Sequence, residues 1–198
     1  LIDLHFVYKK DESMTNFIHQ IRRVLKPIFI LLPIVMVSCN ESNRKNPYLS
    51  YPKLEIELPS KNKINVYVAV DAKRQKLGLS HVQPDEFKNN DTMLFTGEHY
   101  QVRQFWMPET HFNLDIIFLS PSLEVLDIHR NVSHYKGKVT RENKDDVPLS
   151  KKAYCQHVLE IKTSSPLASE FKIGLKLKAT SKMSLLQSLE KIISSTHP

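Results

Sequence analysis

The sequence predicts a mainly β protein, with a compact β-barrel or β-sandwich-like domain, short helices and an added C-terminal helix. The early segments Lys53–Leu58 and Ile64–Val70 alternate apolar with polar residues or are β-branched, as strands are. A later run, Leu114–Leu119, is almost entirely apolar and is typical of a buried strand. Most of the eleven prolines lie between such runs, where they interrupt regular structure.

The first half of the domain contains a helix and several short strands. Asp71 is placed to cap a short helix that Gly78 ends. Strands are predicted at Met93–Phe95 and Phe105–Met107. The runs Leu114–Leu119 and Val125–His129 flank a five-residue turn, which predicts a β-hairpin.

The second half begins with a polar stretch, residues 130–150, that predicts a surface loop. The elements predicted after it are a strand at Tyr154–Ile161, a helical turn at Pro166–Glu170 and a strand at Leu175–Lys178. Residues 53–178 are therefore expected to form one β-rich domain. Residues 179–198 carry an amphipathic helix over Ser181–Ser194, expected to pack its apolar stripe against that domain.

Residues 1–38 have the layout of an export signal whose true start is expected at Met14. Basic Arg22, Arg23 and Lys26 precede a ten-residue apolar run, residues 28–37. A helix of ten residues is only about 15 Å long, half the thickness of a bilayer's hydrocarbon core. The pattern favours a cleaved signal over a membrane-spanning helix.

The four residues Met36-Val37-Ser38-Cys39 resemble a bacterial lipobox, which predicts lipid attachment at Cys39. The alternative is an ordinary signal peptide with an incidental cysteine. Residues 40–52 are polar and contain proline, so residues 39–52 are expected to form a lipidated, flexible tether. The protein is then expected on the periplasmic or extracellular side of a membrane, with the outer membrane favoured where the cell has one.

Composition excludes several classes of function. The net charge of +7 comes from basic residues scattered among acidic ones, so specific nucleic-acid binding is not expected. Four glycines leave little material for phosphate-binding loops, and no histidine pair has tight metal-ligand spacing. The sequence thus predicts no cofactor and no metal site. Cys155 is expected to be a buried, unpaired thiol.

Residues 64–177 contain, in order, several pieces that resemble the domain-of-unknown-function 192 family (DUF192). These pieces are Arg74 with Gly78-Leu79, Met93-Leu94-Phe95, Phe105-Trp106-Met107 with Thr110, Leu114 to Phe118, Val125, Leu159-Glu160 and Gly174. The resemblance implies a single mainly β domain and no established activity. The chain departs from the family pattern where Pro108-Glu109 replace a usual Lys-Asn, and where Ser80-His81 follow Leu79.

The stretch from Phe105 to Leu119 holds the candidate site. Its candidate groove residues are Trp106, Glu109, Thr110, His111 and Asp115. Asp115 could act as a general base or join His111 in a ligand site, or it could accept structural hydrogen bonds that fix the 108–114 turn. Trp106, the only tryptophan, is expected to be a core anchor unless it faces a cleft.

These observations predict a lipid-anchored binding or accessory module of the cell envelope. Its expected partners are the membrane, through the lipid, and either a small ligand or another envelope protein. The alternative is a hydrolase-like envelope enzyme that uses Asp115 with Glu109 or His111. A third interpretation is a structural protein that binds others through its C-terminal helix.

Overall fold

The computed structural model describes residues 46–180 and 183–196. The predicted signal region and Cys39 lie outside these residues. The end of the predicted flexible tether, residues 46–52, belongs instead to the folded domain, because Tyr48 and Tyr51 are buried in its core. The strands are β1 (Lys53–Glu57), β2 (Lys63–Ala69), β3 (Asp91–Phe95), β4 (Gln101–Arg103), β5 (Leu114–Leu119), β6 (Val125–Val132), β7 (Ala153–Cys155), β8 (His157–Lys162) and β9 (Lys178–Ala179). The helices are α1 (Ala72–Leu77) and α2 (Leu185–Thr196), with 3₁₀ turns at Pro47–Ser50, Lys144–Asp146 and Ala168–Glu170.

Seven strands form one curled sheet in the order β6-β5-β8-β3-β2-β1-β9. Only β2 and β3 pair in parallel within it, and α1 lies in the connection that a parallel pair requires. Strands β4 and β7 form a separate antiparallel pair. The predicted mainly β fold class is confirmed.

The sheet is packed on both faces, because successive side chains of a strand point to opposite sides. In β8, Leu159 and Ile161 belong to one apolar cluster, which α2 covers through Leu185 and Leu189. We call this side the α2 face. Val158 belongs to a second cluster on the opposite side, which we call the aromatic face because Tyr48, Tyr67, Phe87, Phe112 and Phe118 pack there.

Several predicted local features are present. Asp71 accepts a hydrogen bond from the Arg74 backbone N–H at 2.8 Å, and Gly78 ends α1 with a φ of 50°. Strands β5 and β6 form the predicted hairpin around residues 120–124. The predicted helical turn lies at Ala168–Glu170, and α2 packs on the domain through its apolar stripe, as expected.

Three element predictions were wrong in detail. Phe105–Met107 is an extended segment with a single bridge between Trp106 and Leu149 rather than a strand. The predicted strand at Tyr154–Ile161 is divided into β7 and β8, which belong to different sheets. The division falls at Gln156, whose backbone N–H donates to Leu119 and whose side chain donates to the Gly97 carbonyl. The last predicted strand shortens to β9, preceded by a bridge between Lys176 and Glu124.

Neither helix in the described part of the chain has the length and apolarity that crossing a bilayer requires.

Candidate functional site

The residues of the predicted groove lie on two different faces of the sheet. Asp115 pairs with Ile161 of β8 and shares its side of β5 with Ile117 and Leu119, so it lies on the α2 face. Leu114, one residue earlier, belongs to the cluster of the aromatic face. Trp106 and Thr110 border the same cleft as Leu114. Asp115 is therefore separated from them by the sheet itself.

Asp115 is 2% exposed, and both of its carboxylate oxygens accept hydrogen bonds. Its two oxygens accept bonds from the Arg130 guanidinium at 2.6 Å, the Asn131 backbone N–H at 2.9 Å and the Thr163 hydroxyl at 2.7 Å. Arg130 also donates to the carbonyls of Ala168 and Phe171. These contacts tie β5 to β6 and to the segment after β8. These contacts agree with a structural role for Asp115. The hydrogen-bond partners, however, lie outside the 108–114 turn that Asp115 was expected to fix.

Glu109 contacts His81 rather than His111. The Glu109 carboxylate lies 3.0 Å from His81 Nε2, and the Glu109 carbonyl accepts the His81 backbone N–H at 2.9 Å. The Ser80 hydroxyl donates to the Pro108 carbonyl at 2.9 Å. The two places where the chain departs from the resembled pattern, residues 80–81 and 108–109, are thus in direct contact. Both φ angles, 66° at His81 and 50° at Glu109, are left-handed.

Trp106 lies at the surface, with 51% of its area exposed, so its expected role as a core anchor was wrong. Successive side chains of an extended segment point to opposite sides. Met107 points into the core, so the neighbouring Trp106 points to solvent. Trp106 borders a small cleft of about 60 Å³ on the aromatic face. The cleft is lined by Gln75, Lys76, Leu77, Gly78, Leu79, Ser80, Phe95, Phe105, Trp106, Met107, Pro108, Thr110, Leu114 and Glu160.

Most pieces of the family resemblance converge on this cleft. Gly78-Leu79 come from the end of α1, Phe95 from the end of β3, and Phe105 to Met107 from the extended segment. Glu160 comes from the middle of β8, where its cross-strand neighbours are Met93 of β3 and Ile116 of β5. Residues far apart in the sequence are brought together because β3, β8 and β5 are neighbours in the sheet.

Glu160 is the polar group of this cleft that the candidate-site prediction missed. Its side chain is 4% exposed, and among the described residues its carboxyl has neither a hydrogen-bond partner nor an ion pair. Burial alone raises its pKa to about 8, so the carboxyl is largely protonated at neutral pH. A carboxyl with a perturbed pKa that borders a cleft is a strong candidate for function.

A second and larger cavity, of about 670 Å³, lies on the α2 face. Its apolar wall is α2, through Leu186, Leu189 and Ile193. Its polar lining comes from the ends of strands and from α1, and includes Gln75, Thr96, Gly97, Arg103, Gln156 and His157. Ligand pockets in proteins commonly measure about 300 to 1,000 Å³ and combine apolar walls with a few polar groups.

Arg103 has no ion pair or side-chain hydrogen bond within the described residues, and its buried Nε atom lacks a partner. The guanidinium lies so close to the Gly97 α-carbon that a Cβ at position 97 would overlap it and the Gln156 carbonyl. Gly97 is therefore required for the close approach of Arg103. The result is an uncompensated positive charge that borders the cavity.

His157 is the second polar group of this cavity. Burial and the charge of Arg103 lower its pKa to about 4, so the ring is neutral at pH 7. Its Nδ1 accepts the Gly97 backbone N–H at 3.2 Å, which leaves the proton on Nε2. A neutral donor and a guanidinium thus border one cavity.

The remaining sequence predictions concern thiols and metals. Cys155 is free and fully buried, as expected, and burial raises its pKa to about 11, so the thiol is unreactive at neutral pH. Within residues 46–180 and 183–196, no group of three or more His, Cys, Asp and Glu side chains is arranged to hold a metal ion.

Two solved structures are similar to part of this chain. One is a "putative transcription regulator" from Sinorhizobium meliloti 1021, with 21% identity, a TM-score of 0.49, and coverage of 66% of this chain and 95% of that chain. The other is a protein of unknown function from Novosphingobium aromaticivorans DSM 12444, with 24% identity, a TM-score of 0.49, and coverage of 64% and 83%. At these values neither likeness supports a conclusion about function.

No curated protein sequence matches the chain significantly. The DUF192 family profile, described as an uncharacterized ACR, matches residues 55–179, which is more than half of the chain. The match runs from within β1 to the end of β9 and includes the cleft at Trp106 and most of the cavity lining. The chain belongs to the DUF192 family.

Proposed function

We propose that this DUF192 protein is a lipid-anchored binding module of the cell envelope, which holds a small molecule with an acidic group and an apolar part. The anchor is Cys39, and the ligand site is the cavity beneath α2. The observation that carries the proposal is the Arg103 guanidinium, which borders this cavity without any partner among the described residues.

A carboxylate or phosphate is the natural partner of such a guanidinium, because it accepts two parallel N–H bonds. The neutral His157 ring supplies a further donor from the same lining. The apolar side chains of α2 suit a hydrocarbon portion of the ligand. The cavity thus offers complementary surfaces to both parts of an amphipathic acid.

Three carboxylates also border the cavity, and they do not cancel this preference. Asp71 is paired with Arg74 at 2.5 Å, and hydrogen bonds led by the Arg74 backbone N–H hold its pKa below the ordinary value. The side chain of Glu98 is 92% exposed, and Glu190 is exposed on α2. Solvent and salt screen exposed charges strongly, whereas the buried part of Arg103 is screened much less.

Octanoate is a suitable probe for this site, with octanol as its uncharged control. We expect octanoate, but not octanol, to raise the melting temperature of the protein, and Arg103→Gln to abolish the rise. Arg141→Gln, an exposed arginine in the 130–150 loop, is the matched control. Equal stabilisation of wild type and Arg103→Gln would exclude this site.

The lipid anchor is tested separately by Cys39→Ala. We expect the variant to be released from membranes, because it lacks the cysteine that carries the acyl chains. Stable anchoring requires more than one acyl chain. The measurement is the fraction that pellets with membranes after a high-salt wash. Unchanged pelleting would contradict the anchor while leaving the cavity proposal intact.

The alternative function, a hydrolase that uses Asp115 with Glu109 or His111, has no comparable support. The Asp115 carboxylate is held by Arg130, Asn131 and Thr163, and Glu109 pairs with His81. A general base needs a free lone pair directed at a substrate. The binding module is therefore the function that the geometry favours.

A further inference from the structure

The cleft at Trp106 contains a carboxyl group that nothing in the described chain compensates. Glu160 projects from the middle of β8 among the apolar side chains of Met93 and Ile116. Burying a polar group without a hydrogen-bond partner opposes folding, because the group loses its hydration and gains nothing in return. A group retained at such a disadvantage is expected to serve something other than stability.

The chemistry of the cleft favours a cation. Three aromatic side chains, Phe95, Phe105 and Trp106, line it together with Glu160. Phe95 and Phe105 pack edge to face with their ring centroids 5.0 Å apart, which fixes both rings. The faces of aromatic rings attract cations, and tryptophan does so most strongly. A carboxylate beside such rings adds a direct counter-charge.

The size of the cleft limits what can enter. Its volume of about 60 Å³ leaves room beside Glu160 for an ammonium group on a slender carbon chain. A primary ammonium also has three N–H donors for the carboxylate, whereas a quaternary ammonium has none. The cleft therefore selects a primary ammonium with a slender carbon chain.

We propose that the cleft formed by Trp106, Phe105, Phe95 and Glu160 binds a primary ammonium group, carried either by a free amine or by a lysine side chain of another protein. The ammonium enters with its proton and pairs with the Glu160 carboxylate. The proton that Glu160 carried in the empty cleft leaves to solvent. No bond other than this O–H bond is broken.

The charges around Glu160 are compatible with this exchange. Among the described residues, the one other charged side chain that lines the cleft is Lys76 of α1. No ion pair joins Lys76 to Glu160. On the same face of β8, Lys162 donates instead to the Pro84 carbonyl and lies over the Phe112 ring. The remaining lining of α1, β3, β5 and the 105–110 segment is uncharged.

The test uses the full chain in detergent and n-butylammonium chloride as the probe. Because Trp106 is the only tryptophan, its fluorescence reports occupancy of the cleft directly. At each pH, calorimetry is carried out in two amine-free buffers that differ in ionisation enthalpy. The difference between the two binding enthalpies gives the number of protons released. We expect release of about one proton per ligand at pH 6 and about a tenth of a proton at pH 9.

Two variants test whether the n-butylammonium ion binds in this cleft. Glu160→Gln is expected to weaken binding at least tenfold and to abolish proton release, and Trp106→Leu to weaken binding several-fold. Because the Glu160 carboxyl is uncompensated and Trp106 is half exposed, neither change threatens the fold, which circular dichroism verifies. Glu109→Gln is the matched control, since that carboxylate lies three positions from Trp106 but outside the cleft lining.

Three outcomes would overturn the proposal: binding at pH 6 without proton release, equal binding by Glu160→Gln, or equal binding of tetramethylammonium. A lysine blocked at its α-amine and its carboxyl group, with the side-chain ammonium free, distinguishes the two sources of the ammonium. Tenfold tighter binding of blocked lysine than of n-butylammonium assigns the group to a partner protein. Equal or weaker binding assigns it to a free amine, and both results support an ammonium site.

Discussion

At the scale of single residues, Glu160 makes the stability of the protein depend on pH. Its pKa is about 8 in the folded state, against 4.5 for an ordinary glutamate. Between these values the folded chain holds a proton that the unfolded chain has lost. Glu160 therefore favours the folded state most below pH 4.5, and this contribution is lost as pH rises to about 8.

We expect Glu160→Gln to stabilise the protein relative to wild type, and increasingly so as pH rises. The gain has an upper value of about 5 kcal/mol near pH 8, since each pKa unit corresponds to about 1.4 kcal/mol. Urea denaturation at pH 5, 6.5 and 8 measures it. A difference between wild type and variant that does not change with pH would contradict the buried, protonated state.

Asp115 differs from Glu160, because both oxygens of its carboxylate accept hydrogen bonds. Asp115→Ala leaves the donors of Arg130, Asn131 and Thr163 without their acceptor. We expect a loss of about 3 kcal/mol in the free energy of unfolding, at the lower end for breaking a buried pair because the Arg130 side chain is 42% exposed.

The matched control for Asp115 is Asp127→Ala, which breaks the Asp127–Lys151 pair. Both of those side chains are more than a third exposed, so the expected loss is below about 1 kcal/mol. Ligand binding at the cavity should persist in folded Asp115→Ala. If binding disappeared while stability stayed unchanged, Asp115 would have a functional rather than a structural role.

At the scale of elements, α2 both completes the core and forms the wall of the cavity. Leu189 is 3% exposed, belongs to the cluster of the α2 face and also lines the cavity. We expect Leu189→Ala to lower the free energy of unfolding by about 2 to 3 kcal/mol and to weaken octanoate binding.

The control on the same helix is Lys191→Ala, an exposed position outside the cavity lining, which should leave both quantities unchanged. Thermal unfolding with and without octanoate measures the two effects together. Undiminished octanoate binding by Leu189→Ala would remove α2 from the ligand site.

The extended segment at 105–107 shows why local patterns did not identify this element correctly. Its apolar residues resemble a strand, but its hydrogen bonds go to the loop at 148–150. Phe105 accepts from the Ser150 N–H, and the Met107 N–H donates to the Pro148 carbonyl. This pairing depends on a segment about forty residues away, so the sequence pattern around Trp106 carries no signal for it.

At the scale of the whole molecule, the buried side chains of Glu160 and His157 have opposite effects on the free energy of unfolding as pH changes. The pKa of His157 is about 4, against 6.5 ordinarily, so its contribution to stability is lost as pH falls from 6.5 to 4. Between pH 4.5 and 6.5 this trend offsets the trend of Glu160. Above pH 6.5 only the loss from Glu160 continues.

We therefore expect the free energy of unfolding to be largest between about pH 4.5 and 6.5 and to decline from pH 6.5 to 8. At lower pH, carboxylates such as Asp71 and Glu170, whose pKa values are lowered mainly by hydrogen bonds, lose their contribution. A denaturation series from pH 3.5 to 8.5 tests this profile. A maximum at pH 8 would contradict it.

The sequence by itself determined the mainly β class, the β5–β6 hairpin, the caps of α1, the packing of α2 and the family. These features depend on residue periodicity, turn and cap chemistry, or ordered motifs, all of which are local in the chain. The sequence also identified Trp106 and Thr110 as residues of a candidate site, and both border the cleft.

The tertiary structure alone decided which polar groups share a site. The sequence could not show that β8 lies between β3 and β5, and so Glu160 was not grouped with Trp106. Nor could it show that Asp115 lies on the opposite face, or that Gly97, Arg103 and His157 meet. Strand order and side-chain burial follow from packing between distant segments, and that packing created both the cleft and the cavity.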